Sequence, residues 1–309
     1  CFNRSGYFAS MIDKHRALDR AKSPKIVFVG GSNLAFGLDS ARVRREFNED
    51  VVNMGVSVKL GLQYQLEEIK DAVRCGDTIV ICPEYDLLSE DPYTNNYLVA
   101  APQVLPRSLV WVAREYLTTP GGWAELGANL GQLLPSKWSS WRGVLLAQLG
   151  DRKPKPSFKD LINPGEIEAI SRSHFTREGD LIGHLSLPSY AANWLGPIRK
   201  LNPATATALN RFAAFAQSRG ATVVLIPPPI ARTAYDFNRK TIDASYSTLR
   251  DQLHFPVLSE PQHYVFDNSL FFNTMWHLQG PGREERTTLI LRDLESDRRV
   301  ALIRSAAAL

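Results

Sequence analysis

Residues 25 to 40, Lys-Ile-Val-Phe-Val-Gly-Gly-Ser-Asn-Leu-Ala-Phe-Gly-Leu-Asp-Ser, set a serine directly behind a Gly-Gly pair where an apolar β-branched run stops. An open α/β sheet binds its ligands outside the carboxyl ends of its strands, so a hydroxyl held there by a glycine-permitted turn can face a substrate. Ser32 is therefore the leading nucleophile candidate, although Gly-Gly-Ser by itself also suits an ordinary turn or a helix N-cap. A serine hydroxyl at its free pKa is a weak nucleophile and needs a base within hydrogen-bond reach, usually a histidine held by a third group. Of the six histidines, His277 is the best placed: it follows a polar Asn273-Thr274 turn and immediately precedes the last predicted helix. Asn33, beside the serine, offers a backbone N–H and an amide to the same pocket, or serves only to form the turn.

The elements that must position these residues alternate. Lys25 to Gly30 reads as a strand, Ser40 to Phe47 as a helix, and Val51 to Gly55 as a second buried strand ending in a polar turn. Leu60 to Val73 carries Leu62, Leu66, Ile69 and Val73 at helical spacing, Gly76-Asp77 breaks it, and Thr78 to Cys82 forms a strand closed by Pro83. Short, fully apolar strands alternating with amphipathic helices imply an α/β fold whose parallel sheet is covered on both faces. From about 89 to 201 the rhythm lapses into Trp-, Pro- and Gly-rich stretches, read as a long, partly helical insertion that shapes a site or serves as a docking surface. Trp138, Trp141 and Trp194 in this part are candidates for stacking on sugar rings, with ordinary core packing as the alternative. The α/β rhythm resumes with a helix over about 204 to 218, a strand over 221 to 226 stopped by three prolines, a helix over about 238 to 253, a short edge strand at 255 to 258, and a closing helix over about 283 to 294. The organisation is thus a helical lead-in (1–24), an α/β domain in two pieces (25–88 and 202–309), and an insertion (89–201).

Composition narrows the chemistry. The 309 residues, 44% hydrophobic and 22% charged, suit one large globular domain with an insertion. A net charge of +4, without a strong basic block, gives no argument for nucleic acid, and Arg42, Arg44 and Arg45 read as a solvated helix face. No apolar stretch approaches the roughly 18 to 20 residues that a membrane helix needs. Three cysteines provide neither a disulfide framework nor zinc spacing, and the scattered histidines form no pair at metal-ligand spacing, so neither metal nor cofactor is expected. Cys82, inside a strand, reads as a small buried core residue, and Cys75, ahead of Gly-Asp, as half-exposed. The sequence starts at Cys1 rather than Met, and an upstream signal, an anchor helix or a lipidated Cys1 would each account for that start.

With Ser32, Gly55, the Pro83-Glu84-Tyr85-Asp86 turn and His277 in this order, the chain resembles the SGNH/GDSL hydrolase superfamily over residues 25 to 88 and 203 to 294. The resemblance implies a flavodoxin-like three-layer α/β/α sandwich. Gly30-Gly31-Ser32 matches the block that carries the serine, Asn53-Met54-Gly55 the block whose glycine N–H serves the oxyanion hole, and the last block the histidine with an acid just upstream. Within the superfamily the chain is similar to membrane-associated, extracytoplasmic members that modify cell-surface polymers, including polysaccharide O-acetylation proteins and D-alanine transfer proteins of teichoic acid. These share a Gly-Gly-Ser start, a Pro-Glu-Tyr-like third block and a Phe-Tyr-Asp-Thr-x-x-His-Leu-like ending. The resemblance implies an acyl-ester enzyme outside the cytoplasm, acting on a carbohydrate polymer or an acylated small substrate, with a membrane-bound acyltransferase as a partner.

Two departures bear on activity. Tyr85 stands where the superfamily places an asparagine whose side chain donates to the oxyanion; loss of one such donor costs a factor of about 100 to 1,000 unless the tyrosine hydroxyl replaces it. Asn273 stands where an aspartate would orient the histidine. Its carbonyl oxygen can accept from His277 but carries no charge, and the same exchange in a serine protease triad costs about 10⁴ in turnover. Glu84 and Asp267 are alternative carboxylates for His277, and Glu84 also belongs with Asn33, Gly55 and Tyr85 among candidates for the substrate pocket. Three readings stand at this point: an acyl-ester enzyme, a catalytically impaired subunit that binds glycan or an acyltransferase, and a cytoplasmic esterase of small metabolites.

Overall fold

The computed structural model describes residues 5–92, 100–118, 168–189 and 196–307. A 3-10 turn (Tyr7–Ser10) and α1 (Met11–Arg20) lead into β1 (Lys25–Gly30), α2 (Ser32–Gly37), α3 (Ser40–Phe47), β2 (Asp50–Asn53), α4 (Leu62–Lys70), β3 (Thr78–Cys82) and α5 (Tyr85–Ser89). Next come α6 (Ala100–Val104) and α7 (Ser108–Thr118), then α8 (Pro203–Ser218), β4 (Thr222–Leu225), β5 (Ile230–Ala231), α9 (Arg232–Gln252), β6 (Val265–Phe266) and α10 (Gly280–Ala307). The fold is α/β with flavodoxin-like topology: four parallel strands in the order β2-β1-β3-β4, flanked by helices, with β5 and β6 forming a small parallel pair of their own.

The strands read as unbroken apolar runs because both sheet faces are covered; every residue of β1 is buried. Helix starts are set by side chains. Asp39 accepts from the Arg42 N–H ahead of α3, and Asn202 accepts from the Ala204 N–H ahead of α8, whose first position is Pro203. Several expected boundaries move, among them the end of α10, which runs to Ala307, and both ends of α4, which spans Leu62–Lys70. β2 stops at Asn53, whose side chain accepts the Gly55 N–H and turns the chain out of the ladder. The stretch 255–258 contributes only an isolated parallel bridge between Val257 and Leu225, since Pro256 brings no N–H to a ladder. α9 begins at Arg232, because Ala234 and Tyr235 already bury on its inner face. α10 begins at Gly280, with Pro281 in the first turn, where a missing N–H is harmless.

The described part of the lead-in carries a 3-10 turn and α1, and the described parts of the 89–201 stretch include α6, α7 and a 3-10 turn at Arg172–His174. Trp138, Trp141 and Trp194 lie outside the described residues. Cys82 is buried and Cys75 is exposed. Among the described residues no helix is long and apolar enough to cross a membrane.

Candidate active site

The register of the two central strands creates the site. Gly30 at the end of β1 pairs with Cys82 at the end of β3, so the residues two further along each chain, Ser32 and Glu84, emerge side by side at the carboxyl edge of the sheet. Ser32 Oγ lies 3.1 Å from Glu84 Oε1. The intervening Gly31 has to be glycine: a Cβ there would meet Glu84 Oε1 at 2.6 Å and a Val58 methyl at 2.9 Å. Ser32 opens α2 and is half-buried, so its hydroxyl remains reachable, whereas Glu84 is 2% exposed.

The histidine arrives from the other end of the chain. An antiparallel bridge between Phe271 and Leu278 closes a tight loop, in which the Phe272 N–H donates to the His277 carbonyl at 2.7 Å. The loop holds Asn273 Oδ1 2.7 Å from His277 Nδ1, and His277 Nε2 lies 2.8 Å from Ser32 Oγ. Phe36, one helical turn beyond Ser32 on α2, stacks on the imidazole with ring centroids 3.8 Å apart and planes 4° from parallel. Burial pushes the His277 pKa well below the ordinary imidazole range, and His184 adds to the shift. His184 itself is neutral. Its Nε2–H donates to the Leu278 and Phe36 carbonyls, its Nδ1 is buried without a partner among the described residues, and burial pushes its pKa down to about 4.

Glu84 is held from the opposite side. The Asn33 backbone N–H donates to Oε1 at 2.6 Å and the Asn33 side-chain amide at 3.3 Å. Burial pushes the Glu84 pKa up to about 7, against the downward pull of the Asn33 N–H and with a further upward push from Asp86. Behind Asn33 lies Arg286 of α10, with 0% exposure. Its guanidinium donates to the Asn33 carbonyl (2.6 Å), the Asn33 Oδ1 (2.7 Å), the Gly37 carbonyl (3.3 Å) and the Cys82 sulfur (3.0 Å). Asn33 is thus a relay between a buried cation and a buried carboxyl, a sharper role than turn formation.

The remaining candidates are dispersed. Gly55 packs against the serine segment, where a Cβ would meet Leu34 Cβ at 2.5 Å and the Gly31 carbonyl oxygen at 2.6 Å. Its N–H already donates to Asn53 Oδ1 at 3.0 Å, and the Asn53 amide is fixed in turn by the Leu34 carbonyl and Asp180 Oδ1. Tyr85 turns into the core between Tyr246 and Trp276, and its buried hydroxyl has no hydrogen-bond partner among the described residues and donates nothing to Ser32. Asp267 is exposed and accepts from Ser269, a turn cap rather than a partner for His277. Glu84 reaches Ser32 rather than the outer nitrogen of His277.

Three contributors lacked a readable signal. Tyr7 packs on Phe36 and donates its hydroxyl to the Val56 carbonyl at 2.6 Å, and Asp180 ties Ser40 and Asn53 together. Neither lies in a motif. Arg286 is a charged residue whose burial nothing in the sequence marks. Among the described residues no group of three or more His, Cys, Asp or Glu is placed to hold a metal ion. Compared with known proteins, the chain matches no family model and no curated relative.

Proposed function

We propose that the chain is a serine acyl-ester enzyme of SGNH type, a three-layer α/β/α domain with a long insertion, that transfers or hydrolyses O-linked acyl groups on an extracytoplasmic polysaccharide or cell-surface glycan. One observation carries the reaction class: Ser32 Oγ lies within hydrogen-bond distance of two groups able to take its proton, His277 Nε2 and Glu84 Oε1, at the carboxyl edge of a parallel sheet. The order of the Ser32, Gly55, Glu84-Tyr85 and His277 segments and their likeness to polymer-modifying SGNH proteins support the substrate class, an extracytoplasmic membrane-associated setting, and a membrane-bound acyltransferase as partner. The chemistry requires no cofactor. Ser32 attacks the ester carbonyl to form an acyl-enzyme, and water or a sugar hydroxyl then takes the acyl group. The Ser32 N–H, at the first position of α2, has no acceptor within its helix and is available to the oxyanion. The Gly55 N–H, the second donor the resemblance implies, already donates to Asn53 Oδ1 and would have to be shared with it.

A second reading is favoured by the inward-turned Tyr85 and the uncharged Asn273: an impaired subunit that binds glycan or an acyltransferase. The two part on one experiment. Incubation of the purified chain with a fluorophosphonate, beside Ser32→Ala, should give one adduct confined to Ser32 and absent from the variant. No adduct on the native chain, together with glycan or acyltransferase binding that survives Ser32→Ala, would favour the subunit reading.

A further inference from the structure

The Ser32 hydroxyl has one hydrogen and two acceptors, His277 Nε2 at 2.8 Å and Glu84 Oε1 at 3.1 Å. If the hydrogen points at the imidazole, the serine lone pairs face the carboxylate at close range, which is repulsive while Glu84 is ionised. If it points at Glu84, every contact is satisfied provided that His277 donates Nε2–H to Oγ. A neutral His277 then needs a donor at Nδ1. Asn273 meets this need and an aspartate would not: a half-turn of its amide exchanges Oδ1 for Nδ2, so the same side chain can accept from Nδ1 or donate to it. The residue that departs from the usual triad therefore suits a chain of hydrogen bonds running Asn273 to His277 to Ser32 to Glu84.

Resting on the acyl-ester reading, we propose that Glu84 is the general base of this site, taking the Ser32 proton on Oε1 while His277 stays neutral and donates to Oγ. As the bond from Oγ to the ester carbon forms, the Ser32 proton moves to Glu84 and the carbonyl π pair moves onto the oxygen. On collapse that pair re-forms the carbonyl, the ester C–O bond breaks, and the Glu84 proton passes to the departing alkoxide oxygen. In the second half, the acceptor hydroxyl gives its proton to Glu84 as it attacks, and Oγ leaves and takes that proton back. Glu84 is neutral at the tetrahedral stage of each half, when negative charge sits on the oxyanion, and is ionised again once the leaving oxygen has taken the proton, so the carboxylate does not oppose the charge that builds.

The surroundings of both groups agree. His277 faces the Phe36 ring, the neutral His184 and the uncharged Asn273, and among the described residues no carboxylate lies against its outer nitrogen to steady an imidazolium. The titratable and charged groups around Glu84 are Asp86 of α5, Cys82 at the end of β3, Tyr7 of the lead-in, His277 across the serine, and Arg286 of α10 behind Asn33. Burial and Asp86, against the hydrogen bonds from Asn33 and Ser32, leave Glu84 titrating at about 7, a suitable value for a base working near neutrality, whereas His277 lies far below.

The test is the rate of fluorophosphonate labelling of the full chain from about pH 5 to about pH 9. The native rate should rise through about 7 and level off. Glu84→Gln, which keeps the shape and contacts Asn33, should label about 10² to 10⁴ times more slowly and lose the rise. Adding Asn273→Asp to Glu84→Gln should restore part of the rate, since a carboxylate there lets His277 serve as an ordinary triad base. A native rate that is flat across this range, or Glu84→Gln labelling at the native rate with the rise intact, overturns the proposal. No labelling of the native chain at any pH overturns the acyl-ester reading itself, and the base assignment with it. Because the native profile needs no substitution, the result stands even if Glu84→Gln folds poorly.

Discussion

Glu84 couples the chemistry of the site to the stability of the fold. Its pKa of about 7 in the folded chain lies above its ordinary value, so between the two the native state holds a proton that the unfolded chain has released. The stabilising contribution is complete below the unfolded value and is lost as pH rises through about 7, a change on the order of 3 kcal/mol. Glu84→Gln carries no such proton. Urea melts of the two proteins should therefore diverge with pH, the variant gaining on the native chain between about pH 5 and about pH 8. A difference that stays constant over that interval rules the coupling out. At this scale the sequence disclosed what is local. Ser32 follows a Gly-Gly pair at a strand end, and Asn273 and His277 flank a polar turn. It did not disclose that Glu84 meets Ser32, because that contact depends on Gly30 pairing with Cys82, nor that Arg286 is buried, because an arginine carries no mark of the carbonyls that will surround it.

Between elements, one buried junction lies away from the reacting groups. Asp180 accepts from the Ser40 N–H (2.7 Å), the Ser40 hydroxyl (2.6 Å), the Asn53 amide (2.8 Å) and Arg283 (3.1 Å), and so fastens α3, the end of β2 and α10 around one buried carboxylate. Lys14 of α1 joins the same junction by donating to the Asn53 carbonyl at 2.8 Å, over the ring of Phe175. Removing one partner from such a cluster leaves the others unpaired in the interior, so Asp180→Ala should cost about 3 to 5 kcal/mol in a denaturant melt. It should also slow Ser32 labelling, because Asn53 then loses part of its grip on Gly55. Asp180→Asn, which can still accept from Ser40, should cost less; both variants melting within about 0.5 kcal/mol of the native chain would show that the junction is dispensable. The central elements were legible because strands buried on both faces must be apolar throughout, and the helices between them carry a single apolar face. The sheet edge at 255–258 and the start of α9 were not, since there a proline and a polar but continuous helix blur the periodicity. Asp180 gave no signal at all: the partners of its carboxylate lie 103, 127 and 140 residues away.

Across the whole molecule, the last helix reaches back to the middle of the sheet, and a thiol records it. Cys82 ends β3, a strand flanked on both sides by β1 and β4, and its sulfur lies under Arg286 from α10. Burial raises its pKa, so both access and thiolate fraction are suppressed in the native state. No single loop movement exposes it: a reagent must wait until α10 leaves the serine segment or the sheet opens. Cys75, on the exposed turn before β3, has no such protection. Alkylation followed by peptide mapping should therefore find Cys75 modified rapidly and Cys82 at a rate governed by global opening, with a denaturant dependence matching that of the equilibrium melt. Arg286→Met removes the four bonds that pin α10 to Asn33, Gly37 and Cys82, and if it costs about 3 kcal/mol it should speed Cys82 modification about 10²-fold while leaving Cys75 unchanged. Cys82 reacting as fast as Cys75, or independently of denaturant, would mean that the floor of the site opens by itself. The carboxyl, the serine and the buried guanidinium would then belong to a locally mobile pocket rather than to the cooperative core.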